Sequence, residues 1–187
     1  MRKLFTFEMV SADGFFEGPH HELDWHMVDD EFHEFSELQL SETDLLLFGR
    51  VTYQLMASYW PTAQNDPGVK DKMNNTAKVV FSRTLSKVEW NKTTLFNGNV
   101  AAEVARLKKE PGKNIALLGS GEIASLLLKA GLIDEHRIMI SPVVLGAGIP
   151  LFKNLERRYE LKLLKTRVFT SGNVLLCYQP DNEKIVH

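Results

Sequence analysis

Three short stretches carry residues suited to gripping phosphate. Gly49-Arg50-Val51-Thr52 follows the apolar run Leu45 to Phe48, Ser82-Arg83-Thr84 follows Lys78-Val79-Val80-Phe81, and Gly119-Ser120-Gly121-Glu122 follows Ile115-Ala116-Leu117-Leu118. A helix that starts just after such a turn leaves backbone N–H groups unpaired and turns the positive end of its dipole toward an anion. Glycine permits the tight turn and lets a diphosphate approach the backbone. Arg83 offers a two-pronged guanidinium and Ser82 a short hydroxyl donor, a pairing that suits a phosphate monoester, with Lys78 and Lys87 as further positive charge. Each stretch taken alone is also an ordinary polar turn after a strand. Three of them, each after a strand of one sheet, point together to a nucleotide with several phosphates.

A second group lies toward the N-terminus. Asp29, Asp30, Glu31 and Glu34 crowd the start of a helical pattern, and Asp13 precedes Gly14 in a turn. A carboxyl facing an apolar cleft acquires a raised pKa and can pass a proton to a substrate nitrogen, whereas acids at a helix start also simply satisfy the dipole. Phe15, Phe16 and Trp25 can stack on a planar ring. His20, His21, His26 and His33 gather nearby, but neither H-x-x-x-H nor H-E-x-x-H occurs. A histidine- and aromatic-lined rim is therefore the more economical reading than a metal site.

The elements that must position these groups follow from apolar periodicity. Strands are expected at 3–10, 45–48, 78–81, 93–96, 114–118 and 137–140, with helices at 29–39, from 51, up to 75, 99–109 and 122–130. Gly131 stops the last helix, and Pro111-Gly112 the one before it. Repeated strand–helix alternation predicts an α/β fold with a mainly parallel sheet and helices on both faces. Residues 160–169 and 174–178, joined through Thr170-Ser171-Gly172-Asn173, predict a closing antiparallel hairpin with a bulge near Leu163.

Composition narrows the function classes. The 187 residues fit one domain, and 44% hydrophobic and 25% charged residues are the shares of a soluble globular chain. A net charge of -2 without a Lys/Arg block argues against nucleic acid. No apolar stretch is long enough for a membrane span and the start turns polar at Glu8, so a cytoplasmic protein is expected. Cys177 stands alone in an apolar run, which excludes an intrachain disulfide and reads as a buried strand residue.

Taken in order over residues 3 to 179, several motifs together resemble the dihydrofolate-reductase-like family, which includes the C-terminal reductase domain of the bifunctional riboflavin-biosynthesis deaminase/reductase. They are Ser11-x-Asp13-Gly14 with Gly18-Pro19, Phe48-Gly49-Arg50-x-Thr52-Tyr53 with Trp60-Pro61, Ser82-Arg83-Thr84-Leu85, Gly119-Ser120-Gly121, Gly131-Leu132-Ile133-Asp134-Glu135, and Pro142-Val143-Val144-Leu145-Gly146-x-Gly148 with Leu151-Phe152. The resemblance implies NADPH as cofactor, reduction of a C=N or C=O bond in a pteridine-like or ribosylamino-pyrimidine compound, and a homodimer. It implies that Gly49, Arg50 and Thr52 meet the cofactor phosphates and that Ser82 and Arg83 recognise the 2′-phosphate. Gly119, Ser120, Gly121 and Glu122 would line the diphosphate. Ala12, Asp13 and Gly14 would lie near the nicotinamide, and Val144, Leu145 and Gly146 would close the cleft. Asp30, five residues after Trp25, has the Trp-to-acid interval of bacterial dihydrofolate reductases and is the first choice of proton donor, with Asp13 second. Trp25, Phe16 and His33 are the substrate contacts expected. The sequence departs from the riboflavin enzyme at Gly146-Ala147-Gly148, where a second small residue or Pro usually precedes the glycine. A cofactor- or flavin-binding module without efficient reduction is the alternative, and a metal-dependent hydrolase built on the histidines is a third class.

Overall fold

In the computed structural model, which describes residues 1–181, the chain forms β1 (Leu4–Ser11), β2 (Phe15–Glu17), α1 (Asp30–Ser41), β3 (Thr43–Gly49), α2 (Arg50–Tyr59), α3 (Pro67–Asn75), β4 (Ala77–Phe81), β5 (Thr93–Phe96), α4 (Val100–Lys109), β6 (Asn114–Leu118), α5 (Gly121–Lys129), β7 (Glu135–Ser141), β8 (Ile149–Pro150), β9 (Leu161–Val168) and β10 (Val174–Pro180). Eight strands make one sheet in the order β5-β4-β3-β6-β1-β7-β10-β9. The first six pair in parallel, and β10 runs antiparallel to both β7 and β9. Parallel neighbours need crossovers, and the helices that provide them cover the sheet.

The alternation within each apolar run decides which layer a side chain joins. Leu45 and Leu47 pack with Leu4, Ile115 and Leu117 against Val104 of α4 and Leu127 of α5. Leu46 and Phe48 face the other way, with Phe5 and Val80, toward Leu40 of α1, Tyr53 of α2 and Met73 of α3. Both faces are covered, so an unbroken apolar run marks these strands. Each such side chain contributes about 1.5–3 kcal/mol on burial. No described helix is long and apolar enough to cross a membrane.

Four helices open on a side-chain cap: Asp29, Asp66, Asn99 and Ser120 each accept the N–H three residues on, worth about 1 kcal/mol apiece. Helix α2 begins at Gly49 with no side-chain cap. The expected bulge is present, with the β9–β10 register slipping at Cys177/Tyr178, opposite Leu163 and Leu164. The pair β2–β8 was not anticipated, since strands of three and two residues show no period.

Candidate functional site

Because the inner strands are parallel, Ser11, Gly49, Phe81, Leu118 and Ser141 all end at one edge of the sheet. A trough of about 420 Å³ opens there. Gly49, Arg50 and Thr52 after β3, Ser82 and Arg83 after β4, and Ser120, Gly121 and Glu122 after β6 all line it. The three turns picked out from sequence thus share one rim. Close approach of backbones explains the glycines: a Cβ on Gly49 would lie 2.5 Å from Ser120 Oγ, and one on Gly121 would overlap the Leu151 carbonyl. Gly119, at φ +70°, tucks under Thr52, whose Cγ2 and Oγ1 lie 3.0 and 3.1 Å from a Cβ placed there.

The charges around the trough favour an anion. The first turn of α2 holds no acid, and its N–H groups are not claimed by a side chain, which leaves them free to bind phosphate. Arg50 is exposed and gives one N–H to Gln54 Oε1 at 3.1 Å, keeping its other donors. Arg83 is exposed on the facing lip. Ser82 Oγ accepts the N–H of Thr84 and Leu85 at 3.1 and 3.0 Å, which folds the turn, and lies 3.4 Å from the Thr84 hydroxyl. Ser120 already caps Ile123 N, and Glu122 stands in the first turn of α5, so α5 is the weaker anion site. Lys153 joins the trough, although a lone lysine in an irregular stretch carried no sequence signal. Lys78 and Lys87 do not join it. Lys78 is buried at the opposite end of β4, donating to the carbonyls of Asn74, Thr76 and Asn91, and Lys87 pairs with Glu89.

The loops after β1 and β7 are fastened to each other. Ala12 N donates to Val143 O at 2.7 Å, and the Asp13 carboxylate accepts from Leu145 N at 3.1 Å and Gly146 N at 2.8 Å. Gly14 and Gly146 both take positive φ, +88° and +75°. The Ser11 hydroxyl, followed by these backbone N–H groups, holds the Asp13 carboxyl below its ordinary value. A carboxyl kept ionised in this way is a latch between loops and not a proton donor at neutral pH. Beyond the latch, β2 and β8 bring Phe16, Glu17, Ile149 and Pro150 to the trough wall.

The residues expected around a substrate separate. Phe16 lines the trough, 3.6 Å from where a Gly119 Cβ would be. Trp25 is half-buried and donates from Nε1 to Glu22 O. His33 faces α3, 3.7 Å from Asp66 Oδ2. Asp30 is exposed in the first turn of α1, so no apolar cleft surrounds it. The strongly perturbed acid is Glu8, which the sequence reading passed over. It is 2% exposed on the α5 side of β1, and burial pushes its carboxyl up to about 8, only partly offset by the Thr6 hydroxyl. Thr6 Oγ1 lies 2.9 Å from Nδ1 of His136, which burial lowers to about 4. Thr6 and Glu8 share a face by strand period, but nothing local says whether that face is covered.

With this geometry in hand, comparison with known proteins is specific. Residues 2–175 match the family described as the RibD C-terminal domain. The chain is 38% identical to the uncharacterized protein YyaP of Bacillus subtilis (strain 168), over 90% of each chain. A putative riboflavin biosynthesis protein from Shewanella sp. PV-4 superimposes with a TM-score of 0.75 at 25% identity, covering 96% of this chain and 99% of that one. The dihydrofolate reductase of Enterococcus faecalis, complexed with NADP(H), superimposes with a TM-score of 0.63 at 15% identity, covering 96% and 97%.

Proposed function

The chain belongs to the RibD C-terminal domain family, and from that premise we propose that it is an NADPH-dependent reductase of a small planar nitrogen heterocycle, pteridine-like or ribosylamino-pyrimidine-like. The observation that carries the reading is the convergence of Arg50, Arg83 and the uncapped start of α2 on one trough. The residues suit the cofactor: Gly49 and Gly121 let the turns after β3 and β6 pack closely against Ser120 and Leu151, and Arg50 and Arg83 are both exposed and line the trough. Arg83 and Ser82 would hold the 2′-phosphate, and Thr52, the α2 N–H groups and the turn Gly119 to Glu122 the diphosphate. Ala12, Gly14, Leu145 and Gly146, fastened through Asp13, would border the nicotinamide end.

When bound, NADPH supplies a hydride. The chain's part is to hold two planar partners face to face and exclude water from between them, a service of positioning. Asp30 is exposed and Asp13 is latched as a carboxylate, so the proton for the substrate nitrogen comes from solvent. The same two facts favour the second reading, a nucleotide-binding module without efficient reduction. Titration of NADPH and NADH by fluorescence, with nicotinamide oxidation followed over a panel of heterocycles, tests both readings. Arg83→Ala is expected to weaken NADPH by about 1–3 kcal/mol, the scale of a charge-assisted hydrogen bond, and to leave NADH unchanged. Equal losses would remove the 2′-phosphate assignment. Tight NADPH binding with no substrate-stimulated oxidation would favour the module.

A further inference from the structure

The sheet edge that carries the trough is divided by charge. Its lysine and arginines, Lys153, Arg50 and Arg83, belong to the stretch after β8, the start of α2 and the turn after β4, and all three line the trough. Lys153 is half-buried and fastened to α5 through its N–H, which donates to Ser125 Oγ at 3.0 Å, while its ammonium has no partner among the described residues. The ends of β1 and β7 are the reverse. Residues 12–37 hold nine Asp and Glu and no Lys or Arg, and residues 142–152 hold no Asp, Glu, Lys or Arg, so nothing in either stretch offsets the acids. The fold gathers both stretches at the end proposed for the nicotinamide. Asp13 accepts from Leu145 N and Gly146 N, and the start of α1 is tied to the β9–β10 turn by Glu31 to Thr170 and by Asn173 Nδ2 to Met27 O. Of the histidines, His21 pairs with Glu17, His33 faces Asp66, and His20 lies beside Glu22, which accepts its backbone N–H. Burial lowers His26 to about 4, which leaves it neutral at pH 7. Arg167 of β9 is held by Glu31 and stacks on Phe169.

We propose that the substrate of this chain carries no phosphate or carboxylate, and that its substituents are neutral or cationic. NADPH itself brings a phosphomonoester and a diphosphate, and these occupy the three cations of the trough. An anionic tail on the substrate would then lie beside the Asp13 carboxylate and the acids around the start of α1, with no lysine or arginine left to pair with it. Like charges repel within a Debye length of about 8 Å at physiological salt, and a charge taken out of water without a partner is costly. The acids are not themselves a cation site. Asp13 holds the loop after β7, Asp29 caps Phe32 N, and Glu31 holds Arg167 and Thr170. Their effect is a field that turns anions away, so selection comes from repulsion and not from a dedicated contact. The proposal rests on the reductase reading and names the charge of the substrate within it. It keeps the pteridine-like ring and the ribosylamino-pyrimidine nucleoside, and excludes their carboxylated and phosphorylated forms.

Two pairs of probes differ only in a phosphate: 5-amino-6-ribosylaminouracil and its 5′-phosphate, and 8-ribityllumazine and its 5′-phosphate. Each is titrated calorimetrically into the full chain saturated with NADP⁺. The unphosphorylated member of a pair is expected to bind at least about tenfold more tightly at low salt. The ratio should narrow at about 1 M salt, where the Debye length falls to about 3 Å. Asp24 and Asp30 are both exposed and neither lines the trough. The double variant Asp24→Lys, Asp30→Lys should therefore keep its NADP⁺ affinity while the phosphorylated members gain several-fold. The proposal is overturned if the phosphorylated members bind as tightly as their partners, if no probe binds while NADP⁺ does, or if the double variant leaves the preference unmoved. Failure of NADP⁺ and NADPH to bind at all sinks the reductase reading instead.

Discussion

Asp13 and Glu8 show how surroundings rather than residue type decide what a carboxyl can do. Asp13 is exposed and accepts two backbone N–H groups from the loop after β7. Asp13→Asn weakens those charge-assisted bonds, so the KM for NADPH should rise several-fold with little change in kcat, as steady-state kinetics would read. A collapse of kcat with KM unmoved would instead make Asp13 the acid. Asp30→Asn is expected to leave kcat and its pH profile unchanged, because the side chain is exposed in the first turn of α1 and does not line the trough. Glu8 is the reverse case, a buried acid held protonated near neutrality. Its folded pKa of about 8 lies above the ordinary 4.5, so the native state keeps a proton that the unfolded chain has already lost. Stability is therefore lost as pH rises from 4.5 to 8, by about 3 kcal/mol at pH 7. Glu8→Gln should remove that loss, and urea denaturation at pH 5 and pH 8 compares the two proteins directly.

At the scale of elements, the trough depends on how closely two strand-to-helix turns can approach. Gly49 ends β3 and Ser120 starts α5, and only a hydrogen on Gly49 fits in the gap. Gly49→Ala would drive Ser120 Oγ from the N–H of Ile123, losing a cap of about 1 kcal/mol and adding strain of similar size. The unfolding free energy should fall by about 2 kcal/mol in total, as urea denaturation would read, and NADPH affinity should fall with it as the α2 start is displaced. Preserved NADPH affinity in that variant would mean the two turns do not act as one cradle. The mini-sheet β2–β8 plays a supporting part, since Gly148 packs against Phe15 and the Glu17 carbonyl.

Two features belong to the whole molecule. One is its pH optimum of stability. His26 and His136 are both lowered to about 4 from 6.5 by burial, so the unfolded chain binds protons there that the native state refuses, and stability is lost as pH falls from 6.5 to 4. Two histidines outweigh Glu8 below pH 6.5, and Glu8 acts alone above it. Melting temperature should peak near pH 6.5, and a monotonic rise to pH 8 would contradict the burial of Glu8. The other feature is an uncovered sheet face. Leu163, Leu164 and Val168 on β9 are 50%, 49% and 72% exposed, beside Val174 and Tyr178 of β10. Contiguous exposed apolar surface of this kind marks association sites, and the homodimer implied by the resemblance is proposed to bury it. If the proposed dimer forms through this face, sedimentation velocity should show the wild-type chain as a dimer and Val168→Lys as a monomer, and a Val168→Lys profile matching the wild type would place any contact elsewhere.

Local pattern by itself determined the strands of the main sheet, the helices and the phosphate-type turns of this chain. Runs such as Leu45 to Phe48, caps such as Asn99, and glycines such as Gly49 report on neighbours within a few residues. The tertiary structure alone decided what depends on register between distant segments. It inserted β6 between β3 and β1, buried the face that carries Thr6 and Glu8, sent Lys78 to the far end of its strand, and brought Lys153 to the trough. Short-range periodicity carries no information about which strand lies beside which. That choice is made by the packing of the whole sheet.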